Sequence, residues 1–234
     1  MNIPPVVEAI LLVEAIILLH EGAHAWVAAS LGMRINKVVI GLPIFPTWTL
    51  HFGSTPVVLS PWLVMGGVII DEDDFWGAPL WKKVIVATYG PMGNIIGAML
   101  VTFAVFGLTQ GLALCREVSL ATVQFLGLFF TGKVNLSDIT GPIDAIAVAT
   151  RIVTIDETMG LIFIWLLLNF AVATVNIIPI PGLDGGHYLV GAFYSMVGKW
   201  PKLQSMTRTT TNGFTYGLIF VVVLLTVRDV LHLF

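Results

Sequence analysis

The sequence predicts an α-helical polytopic membrane protein with about four transmembrane helices and a membrane-associated β-hairpin region near 37–65. Three observations carry this expectation. Of 234 residues, 57% are hydrophobic and 11% charged, with a mean hydropathy of +0.94, whereas a soluble domain is nearer half apolar and a quarter charged. So few charges cannot cover a water-facing surface. Four stretches, about 6–30, 84–108, 159–180 and 212–232, supply the roughly 20 mostly apolar residues that a helix needs to cross the hydrocarbon layer. Between the first two, residues 37–70 are apolar but broken by Pro43, Pro46, Pro56, Pro61 and several glycines.

Each element follows from a local pattern. The first run continues from Pro5 into LLHEGAH with no basic start and no cleavage-like site, so it reads as a retained span, not a signal peptide. In 37–70, the VVI and PVVL pieces read as short strands. Open strand edges cannot face lipid, which places them at the interface or against the helices. The acidic DEDDF at 71–75 reads as a solvated loop face. Cys115, the single cysteine, excludes an intrachain disulfide framework and reads as a small apolar residue, buried or lipid-facing.

Charge gives orientation and excludes a partner class. Arg34, Lys37, Lys82, Lys83, Lys199, Lys202 and Arg208 flank the spans on one side. Arg116, Lys133 and Arg151 lie on the other, with Arg228 near the end of the last span. The excess predicts the first set to be cytoplasmic and both termini to be outside, in a cell (inner or plasma) membrane. A formal net charge of −3 argues against a nucleic-acid partner.

The chemistry is concentrated at LLHEGAHAW, residues 18–26. Successive helical residues turn about 100°, so His20 and His24 share one face, one turn apart, where two imidazoles can grip one tetrahedral zinc. Glu21 lies on the flank of that face, positioned to take a proton from an activated water, the H-E-x-x-H pattern of metalloproteases. Each ionisable group at mid-bilayer costs about 2.5–3.5 kcal/mol on insertion scales, so function is the first explanation for its persistence. The alternative is a helix end at the interface with solvated histidines. A third protein ligand is needed, and the acidic candidates in or beside spans are Glu8, Glu14, Asp184 and Asp229. Asp184 stands out in NIIPIPGLDGGHYL, where two prolines and three glycines break the third span. It could equally be an N-cap for the next helix.

HEGAH in the first span together with NIIPIPGLDGG in the third resembles the site-2 protease family of intramembrane zinc metalloproteases. VVIGLP with PWLVMGGVII is similar to the membrane-associated β-hairpin region of the bacterial members that cleave anti-sigma factors. ATYGPMGNIIGAML, VNLSDITGPIDAIAVAT and TVRDVLHLF resemble further family segments, so nearly the whole chain is covered. The resemblance implies zinc as cofactor, held by His20, His24 and Asp184, with Glu21 as general base. It implies that Asn176 helps hold the substrate strand, and that Gly93 and Asn94 line the site from the second span. Asn94 beside glycines reads equally well as a helix-packing residue. His51 reads as a hairpin residue and His187 as an interfacial one.

The implied function is hydrolysis of a peptide bond in or near the transmembrane segment of a single-span membrane protein or a signal-peptide-like substrate. The site would open toward the cytoplasm, and strands in 37–65 could pair with the unwound substrate. Family members of the anti-sigma-cleaving type carry PDZ domains between the second and third spans. Residues 109–133 are too short for one, and no CBS module is expected after the last span. The chain therefore reads as a single membrane-embedded domain, 1–234, with a separate substrate-selecting protein as one possibility. Two rivals differ in class: a catalytically silent relative that binds membrane helices, and a metal-dependent transporter, which would usually show paired repeats not visible here.

Overall fold

The computed structural model describes residues 4–41, 46–60, 66–134, 142–198 and 200–232. Pro43, Pro61, Lys199 and the whole NLSDITG segment, 135–141, therefore lie outside the described residues. The elements in order are α1 (Pro5–Ser30), β1 (Ile35–Ile40), β2 (Trp48–Phe52), β3 (Thr55–Leu59), β4 (Gly66–Ile70), α2 (Glu72–Gly77), α3 (Leu80–Phe130), α4 (Pro142–Ile155), α5 (Glu157–Ile177), α6 (Gly186–Met196) and α7 (Pro201–His232). The chain divides into two compact units.

One unit comprises Ile17–Gly93 and Asn176–Gly217. Its sheet has the order β2-β3-β1-β4. β2, a strand not expected from the sequence, forms an antiparallel hairpin with β3 inside the expected region, with His51 opposite Pro56. β1 runs parallel to β3, and β4 closes the sheet antiparallel to β1. The region is thus a four-stranded mixed sheet over 35–70, larger than the hairpin expected near 37–65. Alternation alone does not reveal a parallel pairing between segments 20 residues apart. Below it, Val27, Ala28, Met33 and Val86 form a core with Leu31, Ile35, Ile70, Phe75 and Ile85. The DEDDF segment is a correction. It is not a loop but the short helix α2, capped by Asp71, whose carboxylate accepts from the Asp74 N–H at 3.2 Å. The Arg34 guanidinium donates to Asp74 at 2.8 Å and to Asp71 at 2.9 Å, and holds the Asp74 carboxyl below its usual pKa.

The other unit comprises Met1–Ile16, Asn94–Val175 and Leu218–Phe234. Here α3 breaks at Gly107, at φ 74° and ψ 171°, a conformation closed to residues with a Cβ. Residues 108–130 then fold back along the preceding arm. Cys115 packs with Ala98, Leu166 and Phe170, buried and apolar as its sequence suggested. No helix is expected there from sequence, where 109–133 reads only as a connection too short for a PDZ domain. A second tight reversal joins α4 to α5, where Gly160 lies against the Ile152 carbonyl. Ala9 of α1 packs there with Ala149, Val153 and Ile164. The Asp229 carboxylate caps α4, accepting from the Ile143 and Asp144 N–H groups at 3.1 and 3.3 Å.

The molecule is a multi-pass membrane protein. Among the described residues, three helices are long and apolar enough to cross a bilayer: Leu80–Phe130, Glu157–Ile177 and the Pro201–Asp229 part of α7. The fourth expected span, α1, forms as a 26-residue helix but carries Glu8, Glu14 and Glu21 and is not among the three.

Polar pairs tie apolar helices together where lipid offers no hydrophobic drive. The wholly buried Asn94 donates to Asn169 Oδ1 at 2.8 Å and to the Ile16 carbonyl at 3.3 Å. Asn94→Ala and Asn169→Ala should each lower the stability of the purified protein by about 0.6–2 kcal/mol. In denaturation curves, the double variant should lose less than the sum, because both changes delete one shared contact.

Candidate metal centre

Two helices supply the donors from within one compact unit. His20 and His24 are buried on α1 with ring centroids 4.8 Å apart. The third donor comes from the broken end of α5. There Pro179 and Pro181 remove two backbone donors, and Gly182 at φ 97° turns the chain. The Gly185 N–H reaches back to the Asn176 carbonyl at 2.6 Å, folding the turn onto the last helical residues. Gly185 and Gly186 press against the Ile177, Ile178 and Ile180 carbonyls, where any Cβ would collide. This compact knot aims the Asp184 carboxylate sideways. The N-cap alternative is excluded: α6 starts at Gly186 with Gly185 in the cap position and no side-chain cap bond.

The three donor atoms converge. Asp184 Oδ2 lies 3.0 Å from His20 Nε2 and 3.1 Å from His24 Nε2, and the two Nε2 atoms are 3.2 Å apart. A tetrahedral zinc with bonds of about 2.0–2.1 Å separates its ligand atoms by about 3.3 Å, so the triangle is close to the required size. The tautomer also fits. His24 Nδ1 lies 2.7 Å from the Val86 carbonyl, which can only accept, so Nδ1 carries the hydrogen and Nε2 presents a lone pair. Asp184 Oδ2 is buried and, among the described residues, has no well-formed hydrogen bond. Converging electron-pair donors with an orphaned carboxylate oxygen are what a cation site requires. Among the described residues this is the one such group of His, Cys, Asp and Glu.

Glu21 stands within electrostatic range of all three donors, and the Val68 N–H of β4 hydrogen-bonds its carboxylate. Gly66 of β4 passes so close that a Cβ would lie 2.6 Å from Glu21 Cγ and 2.7 Å from Ile17 Cγ2. Gly67, by contrast, faces open space. Gly93 packs on Ala23 and the Leu19 carbonyl of α1. Asn176 is half-buried at the end of α5. Asn94 belongs to the other compact unit and is engaged with Asn169. His51 is exposed on β2; the His187 ring meets Phe75 edge-on, with centroids 5.3 Å apart.

Sequence reasoning missed two contributors, Gly90 and the Val86 carbonyl. Both lie on α3, one turn apart, facing His24. A carbonyl has no sequence signature, and Gly90 reads as a packing glycine until His24 is known to press on it. A Cβ at Gly90 would fall on the His24 imidazole. Gly90→Ala should therefore displace the ring and lower bound zinc to well under half the wild-type stoichiometry, whereas Gly67→Ala should leave it unchanged. Elemental analysis of the purified variants makes the comparison.

Residues 8–224 match the sequence model of peptidase family M50. Zinc metalloprotease RasP of Shouchella clausii is 30% identical over 119 residues, which is 50% of this chain and 28% of the relative. Regulator of sigma-E protease RseP of Escherichia coli is 30% identical over 114 residues, 49% of this chain and 22% of the relative. Regulator of sigma E protease of Haemophilus influenzae is 30% identical over 92 residues, 39% of this chain and 20% of the relative. The matched segment thus spans about a fifth to a quarter of these relatives' lengths. With that family match across most of its length, the chain belongs to peptidase family M50, the site-2 protease family that its HEGAH and LDGG motifs resemble.

Proposed function

We propose that this chain is a zinc-dependent intramembrane endopeptidase that hydrolyses a peptide bond in or near the transmembrane segment of a membrane-protein substrate. The reading rests above all on one observation: two helical imidazoles and the carboxylate of a broken helix converge to within 3.0–3.2 Å in a buried place. His20, His24 and Asp184 are the proposed ligands. When bound, zinc supplies Lewis acidity, activating water and polarising the scissile carbonyl.

The protein's own residues supply the rest. Glu21 takes the proton from the attacking water and delivers it to the departing amide nitrogen. The Val68 N–H and the close passage of Gly66 fix the Glu21 side chain on the flank of the ligand face. The Val86 carbonyl holds His24 in one tautomer and one orientation. A helical substrate hides its amides in its own hydrogen bonds and must unwind to be cut. β4 is an edge strand of the sheet and runs beside Glu21, so an extended substrate added along that edge would pass the proposed base. This favours 66–70 over the earlier 37–65 region as the docking strand. Asn176 would hold the same segment, and Asn94 would act, if on substrate, through the helix packing it fixes.

The substrate class we propose is a single-span protein or signal-peptide-like segment, as befits relatives named regulators of sigma E. The whole chain, 1–234, would act as one membrane-embedded domain without a PDZ insertion between α3 and α5, with substrate choice made either in the membrane core or by a separate protein. The site would open toward the cytoplasm of the cell membrane. The six described cations of the predicted cytoplasmic set, Arg34, Lys37, Lys82, Lys83, Lys202 and Arg208, belong to the compact unit that carries the proposed ligands.

Glu21→Gln should bind zinc at wild-type stoichiometry yet cleave a transmembrane reporter about 10²- to 10⁴-fold more slowly. A variant that cuts at the wild-type rate would remove Glu21 from the role of base. His20→Ala and Asp184→Ala should both lose zinc. Chelation should abolish cleavage by the wild type, and added zinc should restore it.

A further inference from the structure

A second polar cavity lies within the same compact unit, walled by α2, α6 and the first turns of α3 and α7. It measures about 350 Å³, and its lining includes Asp73, Trp76, Lys83, Tyr194, Gln204 and Arg208. That volume is at the low end of small-ligand pockets, about 300–1,000 Å³. Lys83 is the anomaly. It is 1% exposed and lies in the wall of this cavity. Among the described residues it has no acceptor. Its partners are two ring faces, Tyr194 at 4.8 Å and Trp76 at 5.8 Å.

A second cation faces the same rings. The Arg208 guanidinium lies 5.4 Å from the Tyr194 ring and 5.8 Å from that of Trp76, and donates to Tyr194 Oη at 2.6 Å. Glu72 pairs with Arg208 from outside at 3.7 Å, but neither Glu72 nor Asp73 pairs with Lys83. Cation–π contacts supply about 0.5–2 kcal/mol each, less than the cost of burying an uncompensated ammonium beside a like charge. Lys83 itself has no carboxylate partner among the described residues.

We propose that Lys83 and Arg208 bind the phosphate of an anionic phospholipid headgroup, with the Gln204 amide as a further donor. The source of that phosphate follows from the surroundings. Trp81, two residues before Lys83 in α3, and Trp200, just before α7, are 55% and 59% exposed, as indoles are at the headgroup level of a bilayer. Basic pockets between membrane helices at that depth meet phosphodiesters in abundance. The site is separate from the metal centre and does not depend on the chain being a protease.

Native mass spectrometry of the full-length protein in detergent tests this, with dioleoyl phosphatidylglycerol, dioleoyl phosphatidylcholine and inorganic phosphate as probes. Wild type should retain one phosphatidylglycerol about five- to tenfold more tightly than phosphatidylcholine. Lys83→Met, which keeps the buried stem, and Arg208→Gln should each erase that preference, and Lys202→Gln, an equal charge loss on exposed surface, should keep it. Zinc content equal to wild type shows that each variant is folded. Equal retention of the two lipids by wild type, or an undiminished preference in folded Lys83→Met, overturns the proposal. So does displacement of phosphatidylglycerol by inorganic phosphate at equal concentration, which would make a free anion the occupant.

Discussion

Three electron-pair donors within 3.2 Å of one another, away from solvent, constrain everything around them. Left to themselves, two imidazole lone pairs and a carboxylate oxygen at those distances repel or compete for protons. Their convergence is therefore imposed by the backbone. α1 fixes the histidines one turn apart, α3 presses on them from one side, and the knot at 179–186 drives the aspartate in from the other. An ion that accepts all three lone pairs turns that imposed crowding into a stable centre, which is why the donor set and the fracture of α5 belong to one design.

The packing around the centre follows from the same requirement. Gly90 is bare because the His24 ring occupies the space of its side chain, and the Val86 carbonyl one turn earlier selects the tautomer. Gly66 is bare because β4 must come close enough for the Val68 N–H to reach Glu21. A strand edge beside a proposed general base is also the simplest answer to a problem particular to membranes. A cleavable amide must leave its helix, and an extended chain in an apolar setting needs backbone partners at once. A sheet edge provides them.

Cations elsewhere in the unit are matched in different ways. Arg34 is satisfied by two carboxylates at the N-terminus of α2, and Lys82 donates to the Leu31 carbonyl at 2.8 Å. Lys83, its immediate neighbour in sequence, has only ring faces. That contrast within two residues separates a structural cation from one waiting for a ligand.

The sequence by itself determined the membrane class, the helical stripe of His20 and His24 with Glu21 on its flank, and the break after Asn176. Each of these is a short-range property: composition, a 3.6-residue period, and prolines and glycines in one turn. It also singled out Asp184, because few acidic groups stand beside apolar spans, though it left an N-cap open. Only the tertiary structure decided the rest. The parallel pairing of β1 with β3, the reversal at Gly107 that makes 108–130 a helix, the folding of the acidic 71–75 segment onto Arg34, and the packing of Asn94 on Asn169 all join residues distant in the chain. So do the Val86 carbonyl and Gly90, whose parts in the centre exist only because α3 lies against His24. Local patterns record what a segment can form, whereas a partner brought in by folding leaves no mark on the segment that meets it.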